Sequence, residues 1–329
     1  MKTQKPKLSI VIPAWNAEQT ITRTIESVLA QTFQAWELII VNDGSTDNTK
    51  KICLDLAAKH DRIKQINTPK QGAYKARLVG AIQASAEWIT FIDSDDILEE
   101  KDLATLINII KDADNCDIIV GTLRFDGDTH RKGSRFVHQI TGKIDAEAYQ
   151  NALLSGKTSI GPVAIAYKRF MFLNALPSLQ TYRFNQNEDL LMLLKLAKEC
   201  HYGIYIDPLQ RPVYTYFRRK GSASSTLISP ITCKKLFAEI EASLLSTDLI
   251  ESLQKYKLNV LFGQCIINGQ NLSSFEEQDI LPPIIKGLKH CDLSHKENIL
   301  VALFKHPKLT KIMHHIFRLA VKGYRLVHQ

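Results

Sequence analysis

Apolar and polar positions alternate in blocks along the first hundred residues, and the blocks predict strands and helices in turn. "LSIVI" (Leu8 to Ile12) is a short apolar, partly β-branched run ended by Pro13, which reads as a buried strand. Asn16 with Gln19 has the form of a capping box and predicts a helix from about Ala17 to Ala30. "ELIIV" (Glu37 to Val41) predicts a second strand. The polar turn "NDGSTD" follows it, and Asp47 is placed to cap a helix reaching about Lys59. A third strand near Ile63 to Ile66 leads into the loop "NTPKQG". The helix predicted over Ala73 to Ala84 carries small residues at Ala73, Ala76, Gly80, Ala81 and Ala84, which let it lie close to a sheet or ligand. "WITFI" (Trp88 to Ile92) predicts the fourth strand, and "DSDD" hangs from its end.

Strands alternating with helices imply a mostly parallel, doubly wound α/β sheet, whose ligands bind outside the carboxyl ends of the strands. Here those ends run into "PAWN", "NDGSTD" and "DSDD", three polar segments expected to meet in one crevice. Beyond a strand at Asp117 to Val120, "FDGDTHRKGSRF" reads as a hairpin or loop. A helix over Glu188 to Glu199, strands near Tyr205 and Val213, and the basic stretch "FRRKGSASS" come next. From about Pro230 only helical periodicity remains. The expected division is therefore 1–229, split into halves 1–100 and 101–229, followed by a helical region 230–329.

The 329 residues, 45% hydrophobic and 23% charged, suit one large domain with an appendage, and the net charge of +8 favours anionic partners. Six scattered cysteines form no CxxC or Cys/His ligand spacing, so neither zinc nor a disulfide framework is expected. The opening apolar run is too short for a signal-peptide core, and no run approaches a membrane span. The expectation is a cytoplasmic protein, soluble or peripheral on the inner face of the cytoplasmic membrane. There is no GxGxxG and no Walker A, which argues against dinucleotide oxidoreduction and NTPase chemistry. Nucleic-acid binding would rest on charge alone and is not expected.

The tail from Lys305 to Gln329 has six Lys/Arg and no Asp/Glu, with Leu309, Ile312, Ile316 and Phe317 among the residues on one helical stripe. That pattern suits an interfacial helix on anionic lipid, and equally a helix packed on the protein with a solvated basic face. Either an anionic membrane surface or an oligomer contact is a candidate partner for it.

Two acidic stretches carry the candidate chemistry. In an extended segment Asp93 and Asp95 point the same way and can share one hard divalent ion, Mg²⁺ or Mn²⁺, with phosphate and water completing its shell. Asp96 with Glu99 also has the form of a cap for "ILEEKDLATLINII", which would leave two functional carboxylates and one structural one. Asp43, leaving a strand with Gly44 behind it, can accept from a base N–H or simply belong to a polar turn. Glu188 and Asp189 open a leucine-rich helix, where acids suit the helix dipole.

Taken together, "LSIVIPAWNAEQTITRTIESVLAQTFQAWELIIVNDGSTDNT" and "KQGAYKARLVGAIQASAEWITFIDSDD" resemble the N-terminal half of family 2 glycosyltransferases over roughly Lys7 to Glu99. The resemblance implies a GT-A fold with a helical C-terminal extension, a nucleotide-diphospho-sugar donor (usually a UDP-sugar), Mg²⁺ or Mn²⁺, and inversion at the anomeric carbon. It also implies a hydroxyl acceptor on a glycan or lipid-linked molecule of a bacterial surface polysaccharide. Pro13, Ala14 and Asn16 would line the nucleotide pocket, and Asp43 with Gly44 would meet the uracil. Lys70, Gly72 and Arg77 would flank the nucleotide. Asp93 and Ser94 would lie by the ribose or donor sugar, with Asp95 the main metal ligand beside Asp93. Asp189, with Glu188 as neighbour, matches the family's general base. Leu78 departs from the family's usual Asn, and Phe217 stands where Tyr-Arg-x-Arg has its first Arg, leaving Arg218 or Arg219 to stabilise the leaving diphosphate. The competing reading is a nucleotide-sugar-binding scaffold without turnover.

Overall fold

The computed structural model describes residues 5–127, 133–159, 161–179, 188–218, 229–267, 270, 275, 279–288, 291, 293, 295–305, 310 and 313. The chain separates into two compact units, Met1–Ser222 and Ala223–Gln329. The break falls shortly before Pro230, where the sequence turns to helical periodicity alone.

In the first unit β1 (Leu8–Ala14) pairs in parallel with β2 (Trp36–Asp43) and β4 (Trp88–Phe91), and β2 pairs in parallel with β3 (Ile63–Thr68). Every residue of β1 and β2 is buried, because helices cover both faces of a parallel sheet. Those helices are α1 (Ile21–Leu29), α2 (Thr49–Ala57), α3 (Ala73–Gln83) and α4 (Asp102–Asp112). The small residues of α3 serve the close approach expected of them. A Cβ on Gly80 would stand 2.2 Å from Val11 Cγ1 of β1, so only hydrogen fits there.

The farther half of the sheet departs from simple alternation. Among the described residues the order is β3-β2-β1-β4-β9-β5-β10-β8, with β5 (Ile118–Val120), β8 (Gly142–Ile144), β9 (Ile165–Lys168) and β10 (Ile204–Ile206). β9 runs antiparallel between β4 and β5, and β8 closes that edge antiparallel to β10. Helices α5 (Ala146–Leu154), α6 (Arg169–Leu179) and α7 (Glu188–Lys198) belong to this half. A second sheet of β6 (Thr122–Gly127), β7 (Ser134–Arg135) and β11 (Pro212–Arg218) has β6 paired in parallel with β11 and antiparallel with β7. A bridge between Ile97 and Thr215 joins it to the segment after β4.

Two expected caps do not form. α1 starts at Ile21 and not Ala17, and the Asn16 side chain instead accepts from Thr46 N at 2.9 Å, with Asn16 itself at φ +48°. α4 starts at Asp102 without using Asp96; the box there runs between Glu99 N and Asp102 Oδ2 at 2.8 Å. Asp47 lies one residue before the N-cap position of α2, which is Asn48, and accepts from Thr49 N at 3.0 Å.

The second unit is helical. α8 (Pro230–Ala242) is capped by Ser229, whose Oγ accepts from Thr232 N at 3.2 Å; α9 (Ile250–Phe262), α10 (Leu281–Gly287) and α11 (His295–Phe304) follow. They enclose their own apolar core around Cys233, Leu258, Leu261, Phe275 and Phe304. The described cysteines are all unpaired, as the scattered spacing implied. Apart from Lys305, Thr310 and Met313, the basic tail lies outside the described residues. Among the described residues no helix is long and apolar enough to cross a membrane.

Candidate active site

The loops after β1, β2 and β4 come together at the carboxyl ends of those strands, held by direct hydrogen bonds. Asn16 N donates to Ser45 Oγ at 3.1 Å, Ala17 N to Thr49 Oγ1 at 2.7 Å and Glu18 N to Asp47 Oδ2 at 3.1 Å, joining the first loop to the second. Thr20 Oγ1 donates to Ser94 O at 2.8 Å and Thr24 Oγ1 to Asp96 O at 2.7 Å, so the foot of α1 grips the acidic loop by its backbone. Arg23 reaches the same loop, Nη2 to Asp95 O at 2.9 Å, while its guanidinium stacks 4.5 Å over Phe217.

Asp43 holds the loop after β3. Its Oδ1 accepts from Thr68 Oγ1 at 3.1 Å and Gln71 N at 2.9 Å, and its Oδ2 from Gly72 N at 2.7 Å. A carboxylate has about four acceptor positions, so three bonds leave room for one more donor. Gly44, at φ +68°, lets this loop come close: a Cβ there would stand 2.7 Å from Lys70 N. Lys70 in turn places its Nζ 3.3 Å over the half-exposed ring of Trp15. Pro13, Ala14, Asn16, Asp43, Gly44, Lys70 and Gly72 thus all lie at the carboxyl ends of β1 and β2 or in the loops that follow β1, β2 and β3.

The acidic groups meet at Arg77. Its Nη2 donates to Asp93 Oδ1 at 2.7 Å and its Nη1 to Asp189 Oδ1 at 3.0 Å. The guanidinium side chain is only 4% exposed and is wrapped by the two carboxylates. Burial works against its charge, but Asp93, Asp189 and Glu188 outweigh burial and hold it protonated above the ordinary arginine range. Burial also pushes the Asp189 carboxyl up, with Arg77 opposing. Glu188 is pushed up to about 7 by burial and then by the charge of Asp189. The spacing of Glu188 and Asp189 ahead of five buried leucines explains why both acids sit on the first turn of α7 at the edge of the crevice.

Asp96 is buried and has a different structural partner from the one its spacing suggested. Tyr214 donates to its Oδ2 at 2.6 Å and Phe217 N to its Oδ1 at 2.6 Å, both from β11. Burial and then the charge of Asp93 raise its carboxyl well above the usual range. Tyr214, Thr20, Thr24 and Arg23 escaped the sequence reading. For Tyr214 the only available signal was an aromatic at a buried strand position ahead of the basic stretch. Arg218 ends β11, and Arg219 lies outside the described residues.

Asp93, Ser94 and Asp95 remain partly exposed on the loop. Among the described residues no three His, Cys, Asp or Glu groups gather as a complete protein cage for a metal. The segment is not extended as expected: Asp96 N donates to Asp93 O at 3.1 Å and closes a turn, so alternation along a strand does not set the direction of the Asp93 and Asp95 carboxylates. An open cleft of about 750 Å³ lies elsewhere, at the amino ends of the strands between Lys7, Glu87, Lys168 and Tyr202. Its walls include Glu87 and Asp117, but it lies at the amino ends of the strands, and the strand-end logic favours the opposite end.

Comparison with known proteins identifies the family and the fold. The profile of "Glycosyl transferase family 2" matches residues 9–174. Glycosyltransferase GlyG of Streptococcus pneumoniae serotype 4 is 26% identical over 282 residues, covering 78% of this chain and 90% of GlyG. The Escherichia coli UDP-Glc:alpha-D-GlcNAc-diphosphoundecaprenol beta-1,3-glucosyltransferase WfgD is 44% identical over 91 residues, which is 27% of this chain and 35% of WfgD. The crystal structure of S. aureus TarS 1-349 in complex with UDP-GlcNAc superposes with a TM-score of 0.65 at 22% identity, covering 97% of this chain and 92% of TarS 1-349. The fold is GT-A, the profile match spans half of the chain, and the chain belongs to glycosyl transferase family 2.

Proposed function

We propose that this glycosyltransferase moves a sugar from a UDP-sugar to a hydroxyl of a lipid-linked or glycan acceptor in bacterial surface-polysaccharide synthesis, with inversion. The observation that carries the reading is the Arg77 bridge between Asp93, in the loop after β4, and Asp189 on α7, with Asp43 at the carboxyl end of the neighbouring parallel strand β2. WfgD, named for UDP-Glc and a diphosphoundecaprenol-linked acceptor, and TarS, solved with UDP-GlcNAc, support the choice of donor and acceptor class.

In this mechanism Asp43 uses its remaining acceptor position for a base N–H, and Gly44 and Gly72 let the backbone approach the nucleotide. Asp93 and Asp95 would hold Mn²⁺ or Mg²⁺, which supplies neutralisation of the diphosphate charge. Asp189 takes the proton of the acceptor hydroxyl as that oxygen attacks the anomeric carbon from the face opposite the leaving group. The bond from that carbon to the diphosphate oxygen breaks, its electron pair leaves with UDP, and the configuration inverts. Arg218 and Arg219 supply cations for the leaving group, and the basic tail holds the enzyme against anionic lipid.

A panel of nucleotide sugars, assayed for UDP release with and without Mn²⁺, tests the reading. Release and transfer with one UDP-sugar, abolished by chelation, are expected. Tight UDP binding with no turnover on any donor and acceptor pair would replace it with the scaffold reading.

A further inference from the structure

We propose that Arg77 is a positioning residue for the base: it fixes the Asp189 carboxylate by one oxygen and holds it to the donor-side Asp93, leaving the second oxygen for the acceptor. The inference rests on the assignment of Asp189 as base.

Three observations carry it. Arg77 is on α3, which the Gly80–Val11 contact clamps to β1, so the guanidinium starts from a fixed backbone. Its two terminal nitrogens go to different elements, Asp93 just beyond β4 at 2.7 Å and Asp189 on α7 at 3.0 Å. A planar guanidinium imposes the direction of both bonds, which a lysine ammonium could not do for two acceptors at once. Among the described residues no donor reaches Asp189 Oδ2, and the Asp189 side chain is 39% exposed. One oxygen is therefore anchored and the other has no donor among the described residues.

A purely structural role accounts for the arrangement less well. Arg77 Nε is buried and finds no partner among the described residues. A buried ion pair with an orphaned donor stabilises a core less than an apolar side chain of the same volume. The geometry makes sense as orientation of a reacting group, in which an anchored carboxylate is delivered at a set angle.

The test compares Arg77→Lys and Arg77→Gln in the full chain, reading kcat, donor KM, UDP affinity by calorimetry and the unfolding midpoint. Arg77→Lys keeps a buried cation and so the fold, but reaches only one carboxylate. For it, kcat is expected to fall at least ~10-fold with UDP affinity within about threefold of wild type. Arg77→Gln, where folded, is expected to lose ~100-fold or more in kcat with the same retention of UDP. Wild-type kcat in folded Arg77→Lys overturns the proposal. So does a loss of UDP affinity matching the loss of kcat, which would make Arg77 a donor ligand. Asp189→Asn is measured alongside: normal turnover in that variant removes the base assignment itself, whatever Arg77 does.

Discussion

Tyr214 donates its hydroxyl to Asp96 at 2.6 Å while accepting the backbone N–H of Asp93 at 3.1 Å. One phenol thereby ties the second sheet to the acidic loop at both ends of "DSDD". Both groups are buried or partly buried, so removing the hydroxyl leaves a carboxylate oxygen and an amide short of partners. Tyr214→Phe is expected to cost about 1–3 kcal/mol in denaturant unfolding and to weaken UDP binding several-fold. An unchanged unfolding midpoint would show that the loop is held without Tyr214.

Gly80→Ala is a sharp test of packing. Alanine is the better helix former by ~1 kcal/mol, so an exposed site would gain stability. Here the added methyl meets Val11 at 2.2 Å, and the expected outcome is a net loss of about 1–3 kcal/mol. A gain would mean that α3 lies farther from β1 than described.

Glu188 gives a pH-dependent prediction of definite sign. Its carboxyl is raised from 4.5 to about 7, so between those values the folded state binds more protons than the unfolded state. Stability therefore falls as pH rises through this window, and the penalty is complete above it. Glu188→Gln is expected to stabilise the apo protein by about 1–2 kcal/mol at pH 8, allowing for solvent screening, and to have no such effect at pH 4. Thermal melts at the two pH values check this; equal shifts at both would contradict it.

Glu37 has the opposite sign. Burial disfavours its charge, but bonds from Lys64, Ser85 and Ser9 outweigh burial and lower its carboxyl from 4.5 to about 2. Its contribution is complete above 4.5 and disappears as pH falls from there toward 2. Glu37→Gln should cost on the order of 3 kcal/mol at pH 7 and much less near pH 2. A cost independent of pH would point to lost packing alone.

The first hundred residues were legible because β1, β2 and β4 are buried on both faces and the loops that follow them are polar, a pattern that parallel sheets covered by helices impose on all but the edge strand β3. The positions of Asp43 at the end of β2 and of Asp93 and Asp95 after β4 followed from the same pattern. Asp96 was misread because Asp-x-x-Glu has the form of a capping box, whereas its actual partners, Tyr214 and Phe217, are 118 and 121 residues away. Asn16 failed as a cap for the same reason: Thr46, 30 residues on, took its side chain. The insertion of β9 between β4 and β5 was illegible, as "IAYK" is four residues long with no periodicity to read. The link from Arg77 to Asp189 spans 112 residues and needed the fold before it could be seen.

Asp189→Asn tests the central claim most directly. The amide keeps the size of the side chain and can still sit beside Arg77, but it cannot take a proton. Transfer should fall by ~10²–10⁴-fold while UDP affinity, measured by calorimetry on the same preparation, stays within about threefold. Undiminished transfer by Asp189→Asn would contradict the account.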